Sequence, residues 1–302
     1  MIKYDEKIGK YYFQSSTGRK YSSANKGYIE YQFRRAYPNG VIGVNENVES
    51  ETTPAAFTIN ERFEFITNYV VMVADKIQPS LIISGPGGLG KSFTVNKTLV
   101  EQNFVDVSNT ESFEEGSHLP SNRFKVIKGY STPKALYRLL YENRDSVLVF
   151  DDCDSVMQDA TAANLLKGAL DSNSERIISW NAETIRGMED DLPRSFRFTG
   201  GVIFITNLHK EKIPQALRTR SVCVDVSMTT DEKIDRMKHI LIEDEFMPEA
   251  HTSIKLLAID IIEQFKNEAR EVSMRSLIQV VRIGMKFSGE KFTNMARYAL
   301  TN

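Results

Sequence analysis

The stretch from Leu81 to Thr94 constrains this chain more than any other. It reads Leu-Ile-Ile-Ser-Gly-Pro-Gly-Gly-Leu-Gly-Lys-Ser-Phe-Thr, and residues 85–92 fit G-x-x-x-x-G-K-[ST] at every fixed position. An apolar run precedes the motif and a helical pattern follows it from Phe93 to Gln102, which is the strand–loop–helix setting that the motif requires. The sequence therefore predicts a site for a nucleoside triphosphate.

The residue types in this loop suit phosphate binding. Glycines let the backbone approach a ligand without a Cβ in the way, and the loop N–H groups converge on phosphate oxygens at the N-terminus of the following helix. We expect Lys91 to contact the β- and γ-phosphates of ATP and the Ser92 hydroxyl to complete a Mg²⁺ shell. The residues predicted to bind the nucleotide are Gly85, Pro86, Gly87, Gly88, Leu89, Gly90, Lys91, Ser92 and Phe93.

A second apolar run, Val147 to Phe150, leads directly into the carboxylates Asp151 and Asp152. A central strand of a parallel sheet carries its C-terminal residue to the edge where a phosphate loop lies. Asp151 is predicted to hold Mg²⁺, directly or through water, and Asp152 to orient or deprotonate the attacking water. A third such run, residues 202–206, ends at Asn207, whose amide can both donate and accept.

Composition excludes several classes of protein. With 302 residues the chain can bury a full core and form two domains or one domain with an appendage, and 41% hydrophobic with 26% charged residues is ordinary for a globular protein. A net charge of −2 leaves no global basic field to attract nucleic acid. The two cysteines fall in apolar strand-like runs, so we expect a reducing, cytoplasmic location. No run approaches the length of a membrane span, so no membrane partner is expected.

Residues 1–57 differ from the rest of the chain. Up to Gly40 there are eight basic residues, three acidic residues and seven tyrosines. Basic groups neutralise phosphates and aromatic rings stack on bases, so residues 1–40 are a candidate surface for single-stranded DNA. The alternative is a small β-rich appendage, or an arm on a neighbouring subunit, with solvated lysines, since such a charge surplus is common on protein surfaces. Residues 46–54 are polar and acidic, which predicts a linker.

The patterns predict three parts: an N-terminal appendage and linker over 1–57, a nucleotide-binding α/β domain over 58–228, and an α-helical domain over 229–302. Within the second part, apolar runs at 177–180 and 196–198 flank a charged middle, which predicts a long inserted hairpin. In the third part four amphipathic helical segments follow one another, and their apolar faces should close into a small bundle.

Taken in order, these motifs resemble those of AAA+ ATPases over residues 57–300, roughly four-fifths of the chain. Residues 85–92 match Walker A, residues 147–152 match Walker B, and Asn207 matches sensor 1. Residues 213–220 are similar to the segment that carries the arginine finger. The finger position falls on Arg220, with Arg218 as a second candidate, and Arg275 resembles sensor 2.

The resemblance implies an αβα sandwich with a five-stranded parallel sheet, followed by the helical lid and preceded by the basic-aromatic appendage. It also implies a magnesium-dependent ATPase that forms a homo-oligomer, a ring or a spiral, in which Arg220 acts in trans on the neighbour's phosphates. Such a guanidinium stabilises the charge of the transferred phosphoryl group. Catalysis is thereby assigned to Asp152, Asn207 and Arg220, and contact with the phosphates from the lid side to Arg275.

Asp152 departs from the family pattern, because many members have Glu at this position. A carboxylate that is one methylene shorter needs a different water position, so slow hydrolysis is one expectation. The Asp-Asp pair resembles bacterial replication initiators and helicase loaders, and Asp-Asp-Cys-Asp resembles clamp loaders. The hairpin before Asn207 resembles the branch that contains ring helicases and protein unfoldases. A stand-alone ATPase of this kind suits a phage, a plasmid or a bacterial genome.

The sequence is compatible with three functions. The leading hypothesis is an oligomeric ATPase that couples hydrolysis to remodelling or loading of a nucleic-acid or nucleoprotein substrate, as in DNA replication. The second is a protein unfoldase or chaperone, with Lys128-Gly-Tyr130 and the hairpin of residues 180–198 as candidate pore loops. The third is an ATP-dependent assembly switch with little turnover.

Overall fold

A computed structural model describes residues 3–5, 10–14, 20–23, 33, 57–109, 120–129, 131–171, 175–180, 192–241 and 246–302. The chain divides into two compact units, Met1–Thr58 and Ile59–Asn302. The first contains a three-stranded antiparallel sheet of β1 (Lys3–Asp5), β2 (Lys10–Gln14) and β3 (Lys20–Ser23), in that order. Most of the candidate DNA surface of residues 1–40 lies outside the described residues.

The second unit is built on a six-stranded parallel sheet. Its strands are β4 (Ser80–Ser84), β5 (Val105–Asp106), β6 (Arg123–Lys128), β7 (Val147–Asp151), β10 (Gly201–Thr206) and β11 (Val222–Asp225). They are ordered β11–β4–β10–β7–β6–β5, and every adjacent pair is parallel. The predicted count of five strands is therefore wrong. The additional strand, β5, is a two-residue edge strand with both residues exposed, so no apolar run marks it.

Helices cover both faces of this sheet. They are α1 (Ile59–Ala74), α2 (Lys91–Glu101), α3 (Pro133–Glu142), α4 (Asp154–Gln158), α5 (Ala160–Ala169) and α6 (Gln215–Arg218). Alternation along the central strands divides their residues between two cores. Ile82 and Phe204 pack with α3 to α6, whereas Leu81 and Ile203 pack with α1 and α2. Because β4, β7 and β10 are buried along their whole length, they appear in the sequence as continuous apolar runs.

The predicted hairpin is present before β10. Its strands are β8 (Ile177–Ser179) and β9 (Ser195–Arg197), which pair antiparallel. The ring of Phe196 lies 5.2 Å from that of Tyr137, centroid to centroid, so the hairpin packs on α3. Residues 181–191, which join the two strands, lie outside the described residues.

Four helices follow β11 and form a bundle around an apolar core of their own. They are α7 (Thr230–Leu241), α8 (Thr252–Phe265), α9 (Met274–Lys286) and α10 (Gly289–Thr301). Leu277, Ile262 and Phe292 are among the residues that fill this core. Nowhere in the described ranges is a helix both long enough and apolar enough to cross a membrane.

Candidate phosphate-binding site

Residues 85–90 connect the C-terminal end of β4 to α2. Gly85 has a φ of +140°, and a Cβ there would lie 2.9 Å from the carbonyl carbon of Val226, so the loop can pass the end of β11 only with glycine. Within the described ranges, no backbone carbonyl accepts a hydrogen bond from the N–H groups of Gly87, Gly88 or Gly90. These donors lie at the N-terminus of α2, where anions bind favourably. The loop therefore fits a phosphate group.

Lys91 is a buried cation at the centre of this loop. Its Nζ donates to the carbonyl oxygens of Gly85 at 2.6 Å and Pro86 at 2.7 Å, and to Asn207 Oδ1 at 3.0 Å. These three bonds use all the donors of the ammonium group. Burial lowers the pKa of Lys91 from its usual 10.5 to about 8, although the nearby carboxylates oppose the shift. Phosphate oxygens would give this charge a stronger partner than neutral carbonyls do.

Two oxygen-bearing side chains meet beside Lys91. Ser92 Oγ donates to Asp151 Oδ1 at 2.8 Å, and Lys128 Nζ lies 3.4 Å from Asp151 Oδ2. Hydroxyl and carboxylate oxygens are the ligands that Mg²⁺ prefers in proteins. The described residues contain no group of three or more His, Cys, Asp or Glu that could hold a metal. A Mg²⁺ held by Ser92 and Asp151 would take its remaining ligands from water and nucleotide phosphates.

Asn207 connects the phosphate loop to the acidic strand. It directly follows β10, which lies between β4 and β7. Its Nδ2 donates to Asp152 Oδ1 at 2.9 Å, while its Oδ1 accepts from Lys91. Asp152 is exposed and has a φ of +56°, a left-handed conformation that is uncommon outside glycine but that aspartate tolerates. Its N–H donates to the carbonyl oxygen of Ile205 at 3.0 Å, which fixes the carboxylate next to Asn207.

A second polar pair, Thr206 and Asp154, lies next to Asn207 and helps to fix its position. The buried Thr206 hydroxyl donates to Asp154 Oδ1 at 2.5 Å and accepts from the N–H of Leu208 at 2.9 Å. Asp154 was not among the predicted site residues, although its place in the Asp-Asp-Cys-Asp run is a usable signal. The intervening Cys153 is buried, and burial raises the pKa of its thiol to about 11, so this thiol stays neutral.

The helical bundle touches the phosphate loop at the start of α9. The N–H of Met274 donates to the carbonyl oxygen of Gly88 at 2.8 Å, and Ser273 caps the helix there through a capping box with Ser276. Gly88 has a φ of +70°, and a Cβ on it would lie 3.2 Å from Ser273 Cβ and 3.7 Å from Arg275 Cγ. Arg275, the residue that resembles sensor 2, therefore lies beside the loop with an exposed side chain.

An open groove of about 480 Å³ lies on the other side of Gly90, between α1, α2 and α7. Phe93 is 57% exposed and forms part of its lining. The Arg236 guanidinium lies 4.1 Å from the Phe63 ring centroid and donates to Asn60 Oδ1 at 3.1 Å. A groove of this volume accommodates a nucleoside. Leu89, by contrast, is buried in the core with α1 and α2.

Arg220 lies at the opposite edge of the sheet. Its carbonyl oxygen accepts from Ser80 Oγ at 3.1 Å, and Ser80 begins the strand that ends at the phosphate loop. At about 3.3 Å per residue, the two ends of β4 are roughly 13 Å apart. The side chain of Arg220 donates to the carbonyl oxygen of Ala216 at 3.0 Å. The Nε of Arg218 is buried without a hydrogen-bond partner among the described residues.

The structure thus brings five predicted residues together: Lys91, Ser92, Asp151, Asp152 and Asn207. It places Arg275 beside them and leaves Arg220 apart. The ion pair of Lys128 with Asp151 was not predicted from the sequence; it arises because the two residues are in register on neighbouring strands. Tyr130, the aromatic residue of the candidate pore loop, lies outside the described residues.

The fold and this site define an α/β protein with a candidate phosphate-binding loop. No protein-family model matches the chain. An alignment of 253 residues with an uncharacterised 36.7 kDa protein from the nrdC-mobD intergenic region of Enterobacteria phage T4 shows 28% identity and covers 77% of this chain and 72% of the phage protein. The solved structure of C. elegans PCH-2 matches this chain with a TM-score of 0.40 and 13% identity. The match covers 80% of this chain and 67% of the PCH-2 chain. The phage relative is compatible with the expectation of a phage- or plasmid-type protein.

ATP binding is expected to take up a proton above pH 8. With a pKa of about 8, Lys91 is mostly neutral at pH 9 in the free chain. Phosphate oxygens next to it would raise the pKa again, because an opposite charge favours the protonated form. Calorimetric titration with ATP at pH 9, in two buffers of different ionisation enthalpy, measures the uptake. A Lys91→Arg variant stays charged and should show none. Equal binding enthalpies in both buffers for the unmodified chain would contradict the prediction.

Proposed function

We propose that this chain is an AAA+ ATPase that hydrolyses ATP with Mg²⁺ in a homo-oligomer and uses the energy to remodel or load a nucleic-acid or nucleoprotein substrate. One observation carries the proposal: the Asn207 amide joins Lys91 of the phosphate loop to Asp152 of the acidic strand. Lys91 and Asp152 are 61 positions apart in the sequence, and Asp152 and Asn207 are 55 positions apart, yet all three share one site. That is the arrangement expected if the Walker A, Walker B and sensor 1 resemblances are correct.

Each group at the site has a role that suits its chemistry. When bound, ATP would supply the phosphoryl group and Mg²⁺ would supply Lewis-acid stabilisation. Lys91 and the loop N–H groups would hold phosphate oxygens, and Ser92 with Asp151 would hold the metal. Asp152 would orient water or accept its proton, and Asn207 would keep the Asp152 carboxylate in place.

The position of Arg220 favours an oligomer. Its backbone is anchored to the first residue of β4, whereas the phosphate loop follows the last residue of that strand. Arg220 therefore lies far from its own phosphate loop, and we propose that it acts in the site of a neighbouring copy. A guanidinium supplied in trans stabilises the negative charge on a transferred phosphoryl group. A complete site would then require two chains.

The small N-terminal sheet supports a nucleic-acid substrate. Its register pairs Tyr4 with Tyr11 and Phe13 with Tyr21. The same three strands also contain Lys3, Lys10 and Lys20. Aromatic residues suit stacking with unpaired bases, and lysines suit neutralisation of phosphates.

Single-stranded DNA is expected to raise the ATPase rate of the full chain several-fold. Combined Lys3→Gln, Lys10→Gln and Lys20→Gln changes should remove most of that stimulation and flatten its salt dependence, because phosphate neutralisation is lost. The matched control changes three exposed lysines of the second unit, Lys134→Gln, Lys286→Gln and Lys291→Gln, and should keep the stimulation. An ATPase rate that is indifferent to DNA would overturn the nucleic-acid part of the proposal and favour a protein substrate.

A further inference from the structure

A pair of serine hydroxyls anchors the backbone of Arg220. The fully buried Ser80 Oγ donates to the Arg220 carbonyl oxygen at 3.1 Å and lies 2.7 Å from Ser221 Oγ. A hydroxyl has one proton, so when Ser80 donates to Arg220 the Ser221 hydroxyl donates to Ser80. The two hydroxyls thus tie residues 220 and 221 to the first residue of β4.

β4 is suited to transmit a displacement from one of its ends to the other. It is buried along its whole length and paired with β10 on one side and β11 on the other. Its last residue, Ser84, leads into the phosphate loop, and the N–H of Val226 donates to the Ser84 carbonyl oxygen at 2.9 Å. The strand therefore carries the chain's own phosphate loop at one end and the anchor of Arg220 at the other.

The guanidinium of Arg220 keeps most of its donors for another molecule. In the described ranges, its hydrogen bond to the carbonyl oxygen of Ala216 is the only one that the side chain makes. Arginine has five N–H donors in a planar fork. Where the remaining donors lie depends on the backbone of residue 220, and Ser80 holds that backbone.

We propose that Ser80 is a positioning residue for Arg220 and couples the chain's own phosphate loop to the site that it completes in a neighbouring copy. The inference rests on the proposed function, in which Arg220 acts in trans. Removing the Ser80 hydroxyl leaves the Arg220 carbonyl and the Ser221 hydroxyl without this partner, so residues 220 and 221 shift to find others. A misplacement of about 1 Å lowers a catalysed rate by up to about 10²-fold.

Mixed oligomers of two impaired variants test this coupling. An Asp152→Asn chain keeps its Arg220 but hydrolyses ATP at a strongly reduced rate, and an Arg220→Ala chain keeps its site but lacks the finger. Mixing them should restore ATPase activity at sites where Arg220 of the Asp152→Asn chain acts in the site of an Arg220→Ala chain. Adding Ser80→Ala to the Asp152→Asn chain is expected to lower the restored rate about tenfold or more. Adding Ser80→Ala to the Arg220→Ala chain, which has no arginine finger to position, should leave the restored rate unchanged.

Two further serine variants make the result interpretable. Ser221→Ala removes the hydrogen bond between the two serine hydroxyls from the less buried side and leaves Ser80 able to donate to Arg220, so it should give a smaller loss of the same one-sided kind, even if Ser80→Ala fails to fold. Ser146→Ala is the matched control, because Ser146 is buried just before β7 and its hydroxyl has no hydrogen-bond partner among the described residues. It should leave the restored rate unchanged in either chain.

The outcomes separate the inference from the proposed function. If Asp152→Asn and Arg220→Ala chains restore no activity when mixed, the trans role of Arg220 is wrong and the inference falls with it. If they do restore activity and Ser80→Ala lowers it equally in both placements, Ser80 acts on the fold or on its own site. That result, or no loss in either placement, overturns the inference and leaves the proposed function standing.

Discussion

Replacing Arg220 with alanine is expected to lower the ATPase rate of the oligomer by about 10³-fold, because arginine fingers contribute about 10³–10⁵ to kcat in phosphoryl transfer. ATP affinity should change little, since the Arg220 backbone is bonded to Ser80 at the far end of β4 from the phosphate loop. The loss is therefore expected in the rate at saturating ATP. Steady-state hydrolysis and calorimetric ATP binding on the same preparation measure the two effects.

Two neighbouring variants control this experiment. Arg220→Lys keeps the charge and loses the planar fork, so it should recover only part of the rate. Arg218→Ala tests the second finger candidate, whose Nε is buried without a partner in the described part of the chain. A rate loss for Arg218→Ala and none for Arg220→Ala would show that Arg218, and not Arg220, is the arginine finger. An Arg220→Ala chain that loses ATP binding along with hydrolysis would contradict a trans role.

Replacing Asp152 with asparagine is expected to lower hydrolysis by about 10²–10⁴-fold, the usual contribution of a general base. Asparagine cannot accept the proton of the attacking water. It tolerates the φ of +56° that Asp152 adopts, and its carbonyl oxygen can still accept from Asn207, so the backbone should be preserved. Binding of ATP and Mg²⁺ should persist, because the Ser92–Asp151 pair is untouched. Single-turnover hydrolysis with separate binding measurements tests both expectations.

The length of the side chain provides the matched control. Asp152→Glu restores the carboxylate that many AAA+ members carry, and it should keep measurable turnover, whereas Asp152→Asn should not. An ATPase rate that is indifferent to Asp152→Asn would show that this carboxylate is not the base. The chain would then fit better with an ATP-dependent switch that hydrolyses little.

Much of the sheet could be predicted because its central strands are buried on both faces. Such strands appear as unbroken apolar runs, here at residues 81–83, 147–150 and 202–206. Since the C-terminal ends of parallel strands lie at one edge, the polar residues that follow them could be expected to meet there. The contacts of Lys91, Asn207 and Asp152 agree with that expectation.

Other contacts leave no local pattern in the sequence. Ser80 and Arg220 are 140 residues apart, and one of the two partners contributes only a backbone carbonyl. The bond between the N–H of Met274 and the carbonyl of Gly88 involves no side chain at all. Thr206 reaches Asp154 because β10 lies beside β7, and strand order depends on how the helical connections pack. Such pairs become visible only when the fold is known.

The most direct test of a shared ATP site is the specific ATPase rate of the unmodified chain, with Mg²⁺, as a function of protein concentration. Under the proposed trans role of Arg220, the rate per chain should rise from near zero to a plateau as the chain associates, with association followed by light scattering. A rate per chain that stays constant down to concentrations where the chain is monomeric would contradict the trans finger. Tight ATP binding with no turnover at any concentration would contradict the ATPase itself.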